Sequence, residues 1–144
     1  MTLEGGIPWR ALLMACGAGQ LALAAVSLTI PRVLGWREET AKLKPLTREV
    51  FWTYAGYILS AHVCFGLLSL LGPDLLLERA PLAGLVNGFI GTWWGARLVI
   101  QFTLFDRSAR PPGRMYVLAE GALISVFVAC ATFYWTLAVR SFGG

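Results

Sequence analysis

Long apolar stretches recur along this chain, separated by short polar segments. They cover approximately residues 11–30, 51–72, 82–105 and 116–139. Each has about the 20 residues that a helix needs to cross roughly 30 Å of hydrocarbon. Short connections make consecutive helices antiparallel. The pattern therefore predicts an all-α membrane protein, in which four transmembrane helices form a compact antiparallel bundle and residues 1–144 make up a single domain.

Composition agrees with a membrane protein. Of all residues, 57% are hydrophobic and 14% are charged, whereas about a quarter are charged in ordinary soluble proteins. The alternative is a soluble bundle of buried helices. Such a bundle needs polar faces toward water, and these stretches are apolar on nearly all sides. A membrane-spanning bundle is the better interpretation.

Lysine and arginine are distributed unevenly between the connecting segments. Eight basic residues fall in the first and third segments: Arg32, Arg37, Lys42, Lys44, Arg48, Arg107, Arg110 and Arg114. The opposite side has only Arg10, Arg79 and Arg140. By the positive-inside rule, loops 31–50 and 106–115 are cytoplasmic and both termini lie on the non-cytoplasmic side. We expect a multi-pass protein of a cell membrane, such as a bacterial inner membrane. The net charge of +4 reflects this asymmetry and does not indicate nucleic-acid binding.

The first connecting segment is the longest stretch outside the predicted spans. Residues 32–44 lie between Pro31 and Pro45 and could form a short amphipathic helix at the membrane surface. Val33, Leu34 and Trp36 would then face lipid, and Arg37, Glu38, Glu39 and Lys42 would face water. Glu38 and Lys42 have the i,i+4 spacing of a helix ion pair. A plain solvated connector is the alternative. Residues 106–114 are typical of a tight turn.

Small residues at every fourth position predict how the helices pack, because close approach in lipid depends on them. The third stretch has two such rows, which makes it the expected central helix: Gly84, Gly88, Thr92, Ala96, and Gly91, Gly95. Matching rows occur in the other stretches: Ala11, Ala15, Gly19; Gly56, Ser60, Cys64; and Gly121, Ser125, Ala129. Interfacial anchors are expected at the ends of the spans: Trp9, Trp52, Tyr54, Tyr116 and Trp135.

Polar residues inside the predicted spans need a reason to be there. Counted from the cytoplasmic end at about 1.5 Å per residue, Arg97 lies roughly 13 Å deep, Gln101 about 7 Å, His62 about 16 Å and Glu120 about 6 Å. Arg97 and Gln101 are one turn apart on the same face. An ion pair between Arg97 and Glu120, supported by Gln101, is therefore expected.

This polar cluster has two interpretations. In the first, Arg97, Gln101, His62 and Glu120 line a cavity that binds a lipidic ligand, namely a phospholipid, fatty acid or quinone. Trp93 and Trp94 would then supply apolar walls. In the second, Arg97 and Glu120 form a structural clamp between the last two helices, and Ser60 or Tyr57 satisfies His62. Both interpretations stay open at this stage.

Signatures of catalysis and of cofactors are mostly missing. The single histidine excludes a di-histidine haem site, and no HExxH, CxxC or glycine-rich phosphate loop occurs. We expect no cofactor and no metal. Glu120 with His62 leaves acid and base chemistry on a lipid as a third hypothesis. Cys16, Cys64 and Cys130 fall at similar depth and could bind Cu(I), but cysteine more often packs as a small apolar residue.

Three functional classes follow. The favoured one is a non-enzymatic subunit or scaffold of a larger membrane complex or homo-oligomer, because the chain is small and has little mass outside the bilayer. The first alternative is a binder or carrier of a lipidic ligand that uses Arg97, Gln101 and His62. The second is a lipid-modifying enzyme that uses Glu120 and His62. The expected partners are the bilayer, a membrane protein or further copies of the chain, and a bound lipid or quinone.

Overall fold

The computed structural model describes residues 6–104, 108 and 112–143, and within these ranges every regular element is helical. The helices in chain order are α1 (Trp9–Ser27), α2 (Ile30–Val33), α3 (Trp36–Ala41), α4 (Pro45–Leu71), α5 (Pro73–Leu77), α6 (Pro81–Thr103) and α7 (Arg114–Phe142). The long helices α1, α4, α6 and α7 correspond to the four apolar stretches.

Proline sets where α4 and α6 begin. Pro45 and Pro81 occupy the first turn of these helices, where the missing N–H would have no intrahelical partner in any case. The preceding residues, Lys44 and Ala80, have extended backbone with ψ of 145° and 146°, because proline disfavours a helical conformation in the residue before it. As a result, α4 begins several residues before the apolar stretch that predicted it.

Three helical segments are long and apolar enough to cross a membrane: Trp9–Val33, Pro45–Leu71 and Arg114–Phe142. Their mean hydropathy is 1.8, 1.6 and 2.0. The prediction of apolar, membrane-compatible helices is confirmed for these segments. The third predicted span forms a helix of 23 residues, α6, but it is not in this group, because Asn87, Arg97, Gln101 and several glycines lower its hydropathy. Four spans, the bundle and the sidedness of the termini stay predictions.

The chain divides into two compact units, Met1–Pro73 and Asp74–Gly144. In the first unit, α1 packs on α4, and the buried apolar side chains include Leu13, Ala24 and Phe65. In the second unit, α6 packs on α7 around Ile90, Trp94 and Tyr134, all of them at 0% exposure. Each unit therefore has a buried core of its own, and a single domain stays a prediction.

Glycines set the register between α6 and α7. A Cβ placed on Gly84 would meet Phe142, one on Gly88 would meet Ala138, and one on Gly91 would meet Trp135. Each step forward along α6 is matched by an equal step back along α7, so the two helices are antiparallel. The expected packing role of Gly84, Gly88 and Gly91 is confirmed.

The other predicted rows of small residues do not pack within their units, and their packing in a four-helix bundle stays a prediction. Gly19, Gly56 and Gly121 are exposed, and a Cβ on any of them would meet nothing within 4 Å. The buried positions follow the mixed spacing of three and four, as in α7: Phe127, Cys130, Ala131, Tyr134, Leu137, Ala138. A strict every-fourth row drifts by about 40° at each step, so it leaves the packed face.

The connecting segments contain more helix than the sequence suggested. The segment after α1 forms α2 and α3, and Lys42 pairs with Glu39 at 2.7 Å and not with Glu38 as predicted. Trp36 packs on Phe51 and Trp52. The expected short loop between Pro73 and Pro81 contains α5. The predicted turn at 106–114 lies largely outside the described residues.

Candidate ligand-binding site

Five of the six predicted site residues lie in the second unit. Trp93, Trp94, Arg97 and Gln101 occupy successive turns of α6, and Glu120 lies in the first half of α7. Trp94 is fully buried, whereas the other four are half-buried. Because α6 packs on α7, residues from both helices can contribute to one layer of this unit.

Arg97 is held over an aromatic ring of the neighbouring helix. Its Cζ atom lies 5.5 Å from the centroid of the Phe127 ring. Phe127 is buried and is also stacked on Trp94, with centroids 5.4 Å apart and ring planes inclined by 26°. The negative face of an aromatic ring attracts a guanidinium, typically by about 0.5–2 kcal/mol. Arg97, Phe127 and Trp94 therefore form one contact layer between α6 and α7, which we call the Arg97 layer.

The two tryptophans lie on different sides of α6. Consecutive helix residues are rotated by about 100°. Trp94 faces α7 with 0% exposure, whereas Trp93 is half-buried and neighbours Phe89, with ring centroids 6.4 Å apart. Phe89 is itself exposed. Only Trp94 therefore belongs to the Arg97 layer.

The register of α6 and α7 defines how far Glu120 lies along the pair. If the matching seen at Gly84, Gly88 and Gly91 is continued, Ser125 is level with Gln101. Glu120 then lies about 7.5 Å nearer the connection between α6 and α7. The sequence had predicted nearly equal depths for Glu120 and Gln101, whereas the register separates the two residues along the helix pair. The Arg97–Glu120 ion pair and its support by Gln101 stay predictions.

His62 belongs to the first unit, where it lies on α4 on the same face as Phe65, Gly66 and Ser69. It is buried, with 7% of its surface exposed. Its participation in a site with Arg97 and its pairing with Glu120 as acid and base stay predictions.

Two fully buried residues with amide side chains were missed by sequence reasoning. Asn87 in α6 and Gln20 in α1 are both at 0% exposure. Asn87 Nδ2 donates a hydrogen bond of 2.8 Å to the carbonyl oxygen of Leu76 in α5. Among the described residues, its Oδ1 has no hydrogen-bond partner. A check of every amide inside the apolar stretches would have identified both residues, since polar groups in lipid tend to be structural or functional.

The cysteines lie in different surroundings. Cys16 is half-buried, Cys64 is exposed and Cys130 is buried. Within residues 6–104, 108 and 112–143, no group of three His, Cys, Asp or Glu side chains is arranged to hold a metal ion.

No protein-family model, curated protein or solved structure matches this chain. Its class is defined by its own features: a helical chain with three segments long and apolar enough to cross a membrane, compatible with an integral membrane protein.

Proposed function

We propose that this chain is a multi-pass integral membrane protein that acts as a non-enzymatic subunit of a membrane assembly. In this proposal α1, α4, α6 and α7 cross the membrane, with both termini on the non-cytoplasmic side of a bacterial inner membrane or a similar one. One observation supports the assembly role above all. The rows of small residues on α1, α4 and α7 are turned outward, away from the cores of their units.

The row on α4 illustrates the argument. Gly56, Ser60 and Cys64 are all exposed. The helical period puts this row opposite His62 and Gly66, which face α1. In lipid, helices associate where small side chains let their backbones approach closely. An outward row of this kind is suited to another helix, and we call it the α4 row.

A similar arrangement occurs on two more helices. Ala11, Ala15 and Gly19 of α1 are exposed, while Leu13 and Gly17 face inward. In α7, Gly121, Ser125 and Ala129 are exposed opposite the buried Tyr134. None of these rows contains a charge that would prevent close approach. Outward rows on three helices support lateral contacts with other helices.

The polar residues of α6 are compatible with a membrane-spanning role for this helix too. The 23 residues of α6 correspond to about 34 Å of helix, enough to cross the hydrocarbon layer. Asn87 is fully buried, and the Arg97 guanidinium lies over the Phe127 ring. Sheltering these groups from lipid reduces the cost of placing them in a membrane.

A second copy of this chain is the partner that fits the α4 row. Its residues are small and uncharged, so the same surface on two copies can meet across a two-fold axis without repulsion. Cys64, the exposed cysteine at one end of the row, is a natural reporter of this contact. Two Cys64 thiols that face each other can be oxidised to a disulfide by copper phenanthroline.

Cross-linking in vesicles tests this contact. The variant Cys16→Ala/Cys130→Ala keeps Cys64 as its only thiol, and we expect it to give a covalent dimer. Adding Ser60→Leu should abolish the dimer by blocking close approach. The matched control is a cysteine-free chain with Ile58→Cys, because Ile58 is 48% exposed on the other side of α4. Equal cross-linking at positions 58 and 64 would indicate random collision and contradict the proposal.

Binding of a lipidic ligand is the second candidate function, and the Arg97 layer favours it. A guanidinium held between two helices next to Phe127 and Trp94 suits the acidic or carbonyl-bearing head of a phospholipid, fatty acid or quinone. Gln101, Glu120 and Trp93 of the same unit are further candidate contacts. Mass spectrometry of co-purified lipids should show that Arg97→Ala loses the ligand and Arg97→Lys partly keeps it. Loss of the assembly in Arg97→Ala, with the ligand retained, would instead support a structural clamp.

A further inference from the structure

The segment between the first two candidate spans forms a folded element of its own. The spans Trp9–Val33 and Pro45–Leu71 are connected only by residues 34–44. Where both spans cross a bilayer, this short segment remains at the membrane surface, level with the lipid headgroups. The side chains of this segment are therefore among those that lipid headgroups would contact.

Three aromatic rings hold α3 against the start of α4. The ring centroid of Trp36 lies 5.0 Å from that of Phe51 and 6.0 Å from that of Trp52. Phe51 and Trp52 are 5.9 Å apart. All three pairs have the edge-to-face geometry that aromatic quadrupoles favour. Aromatic residues of this kind are enriched where a membrane meets water.

Thr40 connects the aromatic cluster by hydrogen bonds. Its Oγ1 donates to the carbonyl oxygen of Trp36 at 2.6 Å and accepts from the indole Nε1 of Trp52 at 3.3 Å. Thr40 is 5% exposed, so these bonds are largely sheltered from water. The orientation of α3 on α4 is consequently fixed by packing and by hydrogen bonds.

An open cavity of about 260 Å³ lies next to this cluster. Its lining consists of Arg37, Thr40, Ala41, Arg48 and Trp52. The two arginines come from different helices, α3 and α4, and are the only charged residues in the lining. Within the described part of the chain, neither guanidinium group makes an ion pair or a hydrogen bond. Glu39, on the same short helix as Arg37, is engaged by Lys42 at 2.7 Å.

We propose that this cavity binds the phosphodiester headgroup of an anionic phospholipid. Guanidinium groups bind phosphate oxygens through paired, charge-assisted hydrogen bonds. Two of them on separate helices can approach one phosphate from two sides. The indole of Trp52 provides an apolar wall for the glycerol region. The lipid is favoured over a soluble phosphate because the cavity lies between the ends of two candidate spans, where headgroups are concentrated.

This site is independent of the α4 row and of the Arg97 layer. It requires only that α1 and α4 cross a bilayer. Binding at this site would hold the surface segment in the headgroup layer of one leaflet. It would also make the protein sensitive to the anionic lipid content of that leaflet.

Lipid titration of the detergent-solubilised full chain tests the proposal. The probes are dihexanoyl phosphatidylglycerol, dihexanoyl phosphatidylcholine and inorganic phosphate, with binding followed by native mass spectrometry. The variant Arg37→Gln/Arg48→Gln removes both cavity charges. The matched control Arg32→Gln/Lys44→Gln removes two nearby charges, one at the end of the first span and one from the connecting segment, but none from the cavity lining. Circular dichroism establishes that both variants keep their helices, and Arg48→Lys tests the need for a planar guanidinium.

We expect phosphatidylglycerol to bind the wild-type chain and the control variant with similar affinity. Its affinity for Arg37→Gln/Arg48→Gln should be at least about tenfold lower, as the loss of charge-assisted hydrogen bonds implies. Phosphatidylcholine should bind more weakly throughout, because its choline brings a positive charge to the arginines. An equal loss of affinity in both double variants would mean that the lipid responds to the overall positive charge of this region and not to the two cavity arginines. Inorganic phosphate that binds as tightly as the lipid would assign the cavity to a soluble anion. Either result overturns the proposal.

Discussion

Gly17 of α1 and Gly66 of α4 bring the backbones of the two helices into direct contact. A Cβ on Gly17 would lie 2.9 Å from the carbonyl oxygen of Gly66 and 2.9 Å from the Cβ of Ser69. A Cβ on Gly66 would lie 2.7 Å from Cγ of Leu21 and 3.0 Å from the carbonyl oxygen of Gly17. Because backbone atoms oppose each glycine, the contact cannot be relieved by a change of rotamer alone.

Replacing Gly17 by alanine should therefore destabilise the first unit. The added methyl group has to push α1 away from α4, which typically costs about 1–3 kcal/mol in a well-packed core. Gly19→Ala is the matched control, since its Cβ would point into open space. Its higher helix propensity should make it neutral or slightly stabilising. Unfolding in mixed micelles, followed by circular dichroism, measures both. Equal stability of the two variants would contradict the close contact.

The Arg97 layer predicts an energetic coupling between α6 and α7. Arg97→Met removes the guanidinium and Phe127→Leu removes the aromatic ring. Each variant places an unbranched or branched apolar side chain at the position, so that the interface between α6 and α7 stays filled. The double-mutant cycle should give a coupling of about 0.5–2 kcal/mol in favour of the wild-type pair. Unfolding free energies of the four proteins in mixed micelles provide the measurement. If the two single changes in unfolding free energy simply add up in the double variant, the guanidinium does not interact with this ring.

Asn87 should hold α5 in place. In Asn87→Leu the carbonyl oxygen of Leu76 loses its donor. Hydrogen bonds between elements of membrane proteins are typically worth about 0.6–2 kcal/mol. We expect faster amide exchange or proteolysis in residues 73–80, with little change in the rest of α6. Ser125→Ala is the control, because Ser125 is exposed and its hydroxyl bonds only within α7. Unchanged protection of residues 73–80 would be incompatible with this role.

Sidedness can be tested at two connecting segments in a cysteine-free chain. A cysteine at Lys44 should be protected from a membrane-impermeant maleimide added to intact cells, and one at Glu78 should react. Both side chains are exposed, so accessibility depends on the side of the membrane. Reaction at position 44 from outside would reverse the predicted topology. The same labelling at both positions would show that α4 does not cross.

The apolar stretches predicted the long helices well, because burial in lipid or protein demands a continuous apolar run. Their ends were less predictable. Residues 45–50 of α4 are too polar to extend an apolar stretch, although Pro45 at the first turn was a local signal for an earlier start. Hydropathy cannot place such polar helix ends.

The candidate site was only partly predictable for a different reason. Arg97 stands out in an apolar stretch, but its ring partner Phe127 looks like any other apolar residue of α7. Phe127 can be identified as the partner of Arg97 only if the register of α6 on α7 is known. Gly84, Gly88 and Gly91 set that register through contacts with side chains distant in sequence. The rows of small residues were visible, but their direction depended on which face each helix buries.

The association of whole chains is the most direct test of the proposed subunit role. Single-molecule photobleaching of the labelled chain in vesicles, at high lipid-to-protein ratio, counts the copies in each assembly. We predict dimers or larger assemblies for the wild-type chain, reduced to single copies by Ser60→Leu on the α4 row. A wild-type chain that is monomeric under these conditions would contradict self-association through that row.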